Sequence, residues 1–214
     1  MEIAMSARGT IPMHPEDQKL LQIARDLCRQ LGYYNLNPDT ISWKERMGIR
    51  RLPADHFMIL RGEVQLSTRS MGQLTPDEWR PIIASGLIYF QTLTRNFLVG
   101  MLTTMLPIAL LVPAILLLSF RYLAGSVLTY PVIFALIVVT FLAGKRFLMY
   151  PKRLWFKADV EAARILGKES LVESLRKIDQ LDPNRTGKRG SFARPSPSER
   201  VENLARTDKR FDTR

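Results

Sequence analysis

The chain has 214 residues, of which 46% are hydrophobic, and it carries a formal net charge of +11. Its single cysteine, Cys28, excludes an internal disulfide and any zinc or iron–sulfur site that needs several cysteines. The positive charge suits either a nucleic acid or anionic lipid headgroups. No aromatic-interleaved recognition motif accompanies the basic residues, and the uncharged runs described below favour lipid. We therefore expect no nucleic-acid partner.

The first 95 residues predict helix and short strands. Residues 1–15 have no hydrophobic period, and we expect a flexible arm there. Apolar residues then recur at three- and four-residue spacing over 16–31, which predicts an amphipathic helix that ends at Gly32. Short runs rich in β-branched and aromatic residues predict strands at 40–43, 56–60 and 63–68. Thr75, Pro76 and Glu78 form a capping box, which predicts the start of a helix that continues into the first uncharged run described below.

Two long uncharged runs predict a membrane hairpin. The first has 25 residues between Arg95 and Arg121, and the second has 23 residues between Arg121 and Lys145. About 20 apolar residues suffice for one helical crossing of the hydrocarbon core. Backbone groups inside lipid must bond within their own segment, so both runs should be helical. We expect spans at about 97–120 and 123–144, with the turn near Arg121.

Basic residues at the ends of the hairpin predict its orientation. Positively charged residues stay on the cytoplasmic side of a membrane, so both termini and the soluble parts should be cytoplasmic. No apolar stretch opens the chain, and we expect no cleavable signal peptide. The flanking basic residues are Arg95, Lys145, Arg146, Lys152 and Arg153.

The chain beyond the hairpin predicts two further helices and a tail. The helices are expected at 157–166, ending at Gly167, and at 170–181. Residues 183–214 hold nine basic and four acidic side chains and few apolar ones, which predicts a basic, largely flexible tail. Residues 16–95 and 145–182 then form two halves of one domain, interrupted by the hairpin at 96–144.

The order of these parts resembles the HtpX-like membrane zinc metallopeptidases. The resemblance covers about 16–204 and rests on three pieces of sequence. Gln-Leu-Thr-Pro-Asp-Glu at 73–78 resembles the lead-in to the active helix, Lys-Ala-Asp at 157–159 resembles an E-x-x-x-D segment, and Ser-Pro-Ser-Glu-Arg at 196–200 resembles a closing P-x-x-x-R element. The resemblance implies an α+β membrane protein, with a mainly helical, zincin-like cytoplasmic domain, a small β-sheet and a two-helix transmembrane hairpin.

The catalytic residues that the resemblance implies are missing. The family's H-E-x-x-H pentad falls on 85–89, and its third ligand falls on 155, so that serine, glycine, tyrosine and tryptophan replace the ligands and the base. The aspartate that orients a ligand in the family is retained. We expect no catalytic residue, no metal and no other cofactor. The vestigial positions are Ser85, Gly86, Tyr89, Trp155 and Asp159.

These replacements predict that the former metal site has become part of the core. We expect Trp155 to pack toward Tyr89 and Gly86, with Asp159 nearby and paired to a basic group or a hydroxyl. Ser85 is also a conceivable nucleophile, but it lies in a predicted helix with no histidine nearby, which favours a packing role.

The leading functional hypothesis is a catalytically inactive, membrane-anchored peptidase homologue that serves as a binding, scaffold or regulatory subunit. A groove between the helix at 75–90 and the strands would hold an extended segment of a protein partner by strand addition. One alternative is an active membrane zinc endopeptidase with an unconventional site. Another is a purely structural subunit of a larger membrane complex. The expected partners are anionic lipid headgroups and a further protein.

Overall fold

The fold is a mainly helical α+β arrangement, in agreement with the expected class. It is given by a computed structural model that describes residues 15–123, 129–181 and 194–211. The described elements are α1 (Pro15–Gln30), β1 (Thr40–Lys44), β2 (Arg46–Met47), β3 (Arg50–Arg51), β4 (Phe57–Leu60), β5 (Glu63–Ser67), a 3-10 turn (Thr68–Ser70), α2 (Pro76–Leu123), α3 (Thr129–Leu148), α4 (Tyr150–Leu166), α5 (Lys168–Leu181) and α6 (Pro197–Phe211). The predicted arm at 1–15 and the turn after Arg121 lie largely outside the described residues.

Helix α1 forms where the apolar period predicted it. Its buried face carries Leu20, Ala24, Leu27 and Cys28, which all join the core. Gly32 follows the helix with a φ of 71°, the left-handed conformation that glycine adopts most easily at a helix end. Burial raises the pKa of the Cys28 thiol to about 11, so that this cysteine is a small buried apolar side chain with little thiolate.

A three-stranded sheet has the order β1-β5-β4, with β1 parallel and β4 antiparallel to β5. The three predicted strands are thus confirmed, and Arg61 and Gly62 turn the chain between β4 and β5 with positive φ angles of 52° and 81°. β5 is buried on both faces, because Gln65 and Ser67 are as inaccessible as Val64 and Leu66. The short β2–β3 hairpin had no sequence signal strong enough to predict it.

Helix α2 begins at the predicted capping box and is continuous for 48 residues. The Glu78 carboxylate accepts a hydrogen bond from the Thr75 backbone N–H at 2.7 Å, and the Glu78 backbone N–H donates to the Thr75 hydroxyl at 3.4 Å. Both contacts satisfy donors that the first turn leaves without a helical partner. The first half of α2 packs in the core, and its second half enters the first uncharged run.

In the described residues both uncharged runs are helical, and many of their large apolar side chains are exposed. One helical segment among the described residues, Tyr130–Leu166, is long and apolar enough to cross a membrane. It contains an 18-residue stretch with a mean hydropathy of 2.1 in which no residue is buried. The first run contains a shorter apolar helical segment, Leu106–Ser119. Helices α2 and α3 contact each other. The two-span hairpin therefore remains a prediction, whereas one span is supported by length and composition.

The C-terminal helices close the core against α2. α4 starts earlier than predicted, at Tyr150, and ends at Leu166, before Gly167, which has a φ of 94°. The prediction of a largely flexible tail over 183–214 is wrong for Pro197–Phe211, which forms α6 and packs on α4 and α5. The physical reason is that Arg200 and Leu204 are buried at 1% and 2% exposure, so α6 contributes to the core despite its polar composition.

Candidate functional site

Helices α2 and α4 bring four of the five vestigial positions together. Ser85 and Tyr89 lie one turn apart on α2, and Trp155 and Asp159 lie one turn apart on α4, so each pair shares one helix face. Ser85 contacts Asp159 and Tyr89 contacts Trp155, so the two helices run antiparallel at this point. All four side chains are buried. Two i, i+4 pairs thus form one buried cluster between the helices.

The aromatic part of the cluster is a stack of Tyr89 on Trp155. The ring centroids are 4.1 Å apart and the rings are tilted by only 13°, which confirms the predicted packing of Trp155 toward Tyr89. The guanidinium carbons of Arg194 and Arg200 lie 5.2 Å and 4.9 Å from the Trp155 ring centroid. At these distances a cation is attracted by the negative face of an indole. Trp155 is therefore held by a phenol and by two guanidinium groups.

The prediction for Gly86 is wrong in one respect, because a different ring occupies the space beside it. The Phe57 ring of β4 lies where a Cβ at position 86 would project. Any side chain at 86 would collide with this ring. Glycine thus permits a close approach of β4 to α2 at this point.

The polar part of the cluster is a hydrogen-bonded set that we call the buried network, made of Ser85, Asp159, Arg200 and Asp55. The Ser85 hydroxyl donates to Asp159 Oδ1 at 2.6 Å. Arg200 Nε donates to Asp159 Oδ2 at 2.9 Å, and Arg200 Nη2 donates to Asp159 Oδ1 and to the Ser85 oxygen. Every side-chain nitrogen and oxygen of Ser85, Asp159 and Arg200 therefore has a partner inside the network. The prediction that Asp159 pairs with a basic group or a hydroxyl is confirmed, since it pairs with both.

Asp55 extends the network toward the sheet. Its Oδ2 accepts from Arg200 Nη1 at 3.3 Å and forms an ion pair with Arg194 at 3.2 Å, and its side chain is only 3% exposed. Burial alone raises the pKa of Asp55, but the positive charges of Arg194 and Arg200 outweigh burial and lower it below its usual value. Burial alone lowers the pKa of Arg200, but Asp159 and Asp55 outweigh burial and raise it. Both groups are charged at neutral pH.

His56 lies beside this network and is kept neutral. Its Nδ1 is 3.4 Å from Arg194 Nη1, and its Nε2 is buried without a hydrogen-bond partner in the described part of the chain. Burial, the Arg194 charge and the Lys44 charge lower the pKa of His56 from 6.5 to about 4, although Asp55 acts in the opposite direction. Arg194 is the donor to Nδ1 when the imidazole is neutral, which leaves the proton on Nε2.

We expect the stability of the protein to fall as the pH decreases from 6.5 to 4, the interval between the unfolded and folded pKa values of His56. In that interval the unfolded chain takes up a proton that the folded chain refuses, so the free energy of unfolding decreases with falling pH. The loss attributable to His56 has an upper limit of about 3 kcal/mol. Urea unfolding at several pH values, followed by tryptophan fluorescence, measures it. His56→Gln should flatten this part of the profile, and an unchanged slope in the variant would contradict the assignment.

The residues that flank the membrane runs are mostly exposed, with one exception. Arg95, Lys145, Arg146 and Arg153 lie on the surface of α2, α3 and α4. Lys152 instead forms an ion pair with Glu199 of α6 at 2.8 Å, and both side chains are less than one-fifth exposed. Within 15–123, 129–181 and 194–211, no group of three or more His, Cys, Asp and Glu residues is arranged to hold a metal ion.

Sequence reasoning missed Arg200, Asp55, Arg194 and His56 as members of the site. One signal for Arg200 was present, because Ser-Pro-Ser-Glu at 196–199 has the same spacing as the capping box before α2. The structure bears this out: Glu199 accepts from the Ser196 backbone N–H at 3.0 Å, and the Glu199 backbone N–H donates to the Ser196 hydroxyl at 3.3 Å. Arg200 then follows in the first turn of α6, next to the site.

Comparison of the chain with protein-family models, with curated proteins and with solved structures found no match. The fold and the site define an α+β protein with a membrane-length apolar helix and a buried Ser–Asp–Arg–Asp network.

Proposed function

We propose that this protein is a catalytically inactive, membrane-anchored metallopeptidase homologue that acts as a binding or scaffold subunit. The observation that carries the proposal is the buried network at the vestigial positions. A catalytic zinc needs three protein ligands and an open position, and a nucleophile needs access to its substrate. Ser85 and Asp159 have 0% exposure and are bonded to Arg200, which itself is 1% exposed. Protein side chains thus fill the space that a zinc ion or a substrate would need.

The membrane anchor in this proposal is a hairpin formed by α2 and α3. Its support is the exposure of large apolar residues on both helices, such as Leu110 at 64% on α2 and Phe141 at 69% on α3, which water would solvate poorly. The basic residues at the near ends, Arg95, Lys145 and Arg146, favour a cytoplasmic location for both termini and for the folded unit. Anionic headgroups would be the lipid partners of these basic residues.

Single cysteines test the anchor and its orientation. We expect Arg121→Cys, at the far end of α2, to react with an impermeant maleimide only from the outside of intact cells. Ala205→Cys, on the exposed face of α6, should react only after the membrane is permeabilised. The native Cys28 provides an internal control, because its burial and its raised pKa should keep it unlabelled. Labelling of both engineered cysteines from the same side would contradict the hairpin.

The binding surface in this proposal is the outer edge of β4. β4 pairs with β5 on one side and with no other strand in the described residues, so that its other edge can receive an extended segment of a partner. Phe57, the first residue of β4, contacts α2 at Gly86, and Asp55 and His56 directly precede it. An added segment would therefore lie next to the buried network without entering it.

Photo-crosslinking in native membranes tests the binding surface. A photoreactive amino acid at Met58, in the middle of β4, should give a discrete crosslinked protein. The same amino acid at Ile49, which is 99% exposed in the β2–β3 turn, serves as the control and should give none. Crosslinks that form only from positions on α2 and α3 would instead favour a purely structural subunit of a membrane complex. Cleavage of a partner that is lost with Asp159→Asn would favour an active peptidase.

A further inference from the structure

We propose that the folded unit rests on the lipid headgroup region through a rim formed by Tyr34, Leu60 and Arg61. We call these three residues the docking rim. The proposal rests on the membrane anchor proposed above, and it adds that the cytoplasmic unit has a fixed orientation on the bilayer. The occupant of this surface is the same bilayer that holds α2 and α3.

Contacts along α2 show which end of the folded unit is near the membrane. Trp43 donates to Asp17 at 2.8 Å and stacks edge-on against Trp79, with ring centroids 6.0 Å apart, close to the start of α2. The Asn35 side-chain amide lies 3.4 Å from the Gln91 side-chain oxygen, close to the uncharged run. With a rise of about 1.5 Å per residue, these two contacts are about 18 Å apart along the helix. Asn35 and its neighbour Tyr34 therefore lie at the membrane end.

The sheet has a defined direction relative to the same axis. β1 leads from the membrane end toward Trp43, β5 is parallel to β1, and β4 is antiparallel to both. β4 therefore runs toward the membrane. Phe57, its first residue, lies beside Gly86 and 6.3 Å from the Phe90 ring. The register aligns Leu60 with Glu63 and Glu63 with Thr40, which places Leu60 at the end of the sheet that follows Asn35.

The two turns of the rim are joined to each other. The Asp39 backbone N–H donates to the Gly62 carbonyl at 2.7 Å, which ties the turn that contains Arg61 to the loop that follows Tyr34. The carboxylates nearby are offset by basic partners: Asp39 by Arg25 at 4.0 Å, and Glu63 by Lys44 at 3.3 Å. This hydrogen bond links the two turns, and the exposed Arg61 supplies a positive charge that suits lipid phosphates.

The chemistry of the exposed side chains fits the headgroup region. Tyr34 is 83% exposed and Leu60 is 46% exposed, although both are large and largely apolar. Tyrosine is enriched at membrane interfaces, where its ring meets the acyl boundary and its hydroxyl meets water. Arg61 is exposed at the turn between β4 and β5, and a guanidinium binds phosphate oxygens well. Arg95 is also exposed on α2, one turn beyond the Gln91 that contacts Asn35, and it adds a further basic group at this end.

The exposed Ile49 provides a matched contrast at the opposite end. It lies in the β2–β3 turn, which follows Lys44 and the Trp43–Trp79 contact, and its side chain is 99% exposed. An apolar side chain at this end should remain far from lipid. Ile49 therefore separates a general effect of surface apolar residues from a specific contact with the bilayer.

Fluorescence quenching by spin-labelled lipids tests the docking rim. The full chain, with Tyr34→Cys, Leu60→Cys, Ile49→Cys or Phe141→Cys carrying an environment-sensitive fluorophore, is reconstituted into vesicles of phosphatidylcholine and phosphatidylglycerol. We expect headgroup spin labels to quench the probe at 34 and 60 and to leave the probe at 49 unchanged. Acyl-chain spin labels should quench the probe at 141. Adding Arg61→Glu to Leu60→Cys should reduce quenching in these anionic vesicles more than in pure phosphatidylcholine.

The outcomes separate this inference from the proposed anchor. Probes at 34 and 60 that behave like the probe at 49, while the probe at 141 is quenched, would overturn the docking rim and leave the anchor in place. A probe at 141 that acyl-chain spin labels do not quench would refute the anchor itself, and the docking rim with it.

Discussion

Replacing Arg200 by alanine is expected to remove about 3–5 kcal/mol from the free energy of unfolding, since it leaves buried carboxylates without their counter-charge. Asp159 would lose both guanidinium contacts, and Asp55 would retain only Arg194. Buried charges without partners are among the most unfavourable changes that one substitution can introduce. Urea unfolding of the detergent-solubilised chain, followed by tryptophan fluorescence, measures the loss.

Arg206→Ala is the matched control for this prediction. Arg206 lies on the same helix, but its side chain is 75% exposed and pairs with Glu202 on the surface. Such surface pairs contribute about 0–1 kcal/mol. Equal destabilisation by the two substitutions would show that α6 needs positive charge in general and would contradict the specific role of Arg200. Arg200→Lys should lie between the two, because a lysine keeps the charge and loses the fork of the guanidinium.

Truncation of Trp155 to alanine is expected to cost about 3–5 kcal/mol, the range for large buried aromatic residues. The substitution removes the ring that stacks on Tyr89 and that faces two guanidinium groups. It leaves a cavity next to the buried network, and rigid helices on both sides limit how far this cavity can collapse. The same unfolding experiment measures this effect.

Trp155→Phe is the conservative comparison, because phenylalanine keeps an aromatic face toward Tyr89 and fills most of the volume. We expect a much smaller loss for it than for Trp155→Ala. A metal chelator should leave the unfolding curve of the unmodified protein unchanged. Stability that depends on the chelator and not on Trp155 would indicate a metal at this position and would contradict the packed core.

Local sequence signals were sufficient to predict most of the helices and the strands of the main sheet. The capping box at Thr75 and Glu78 predicted the start of α2, and the apolar spacing predicted the buried face of α1. The runs rich in β-branched and aromatic residues predicted β4 and β5. Each of these signals depends on neighbouring residues only, which is why one sequence was enough.

The members of the site that were missed depend on contacts between distant parts of the chain. Arg200 lies in a segment whose average composition is basic and polar, and that average does not show that Arg200 is buried. Its partners Asp55 and Asp159 are 145 and 41 residues away. The same limit applies to Gly86, since the ring that fills its space, Phe57, comes from a strand and not from a facing helix.

The metal content of the purified full-length chain tests the central claim most directly. The protein is expressed with excess zinc, purified in mild detergent without chelators, and analysed by inductively coupled plasma mass spectrometry beside its Asp159→Ala variant. We expect far less than one zinc per chain in both samples, because Arg200 and Trp155 occupy the space between α2 and α4. One zinc per chain in the unmodified protein, lost in the Asp159→Ala variant, would contradict this account.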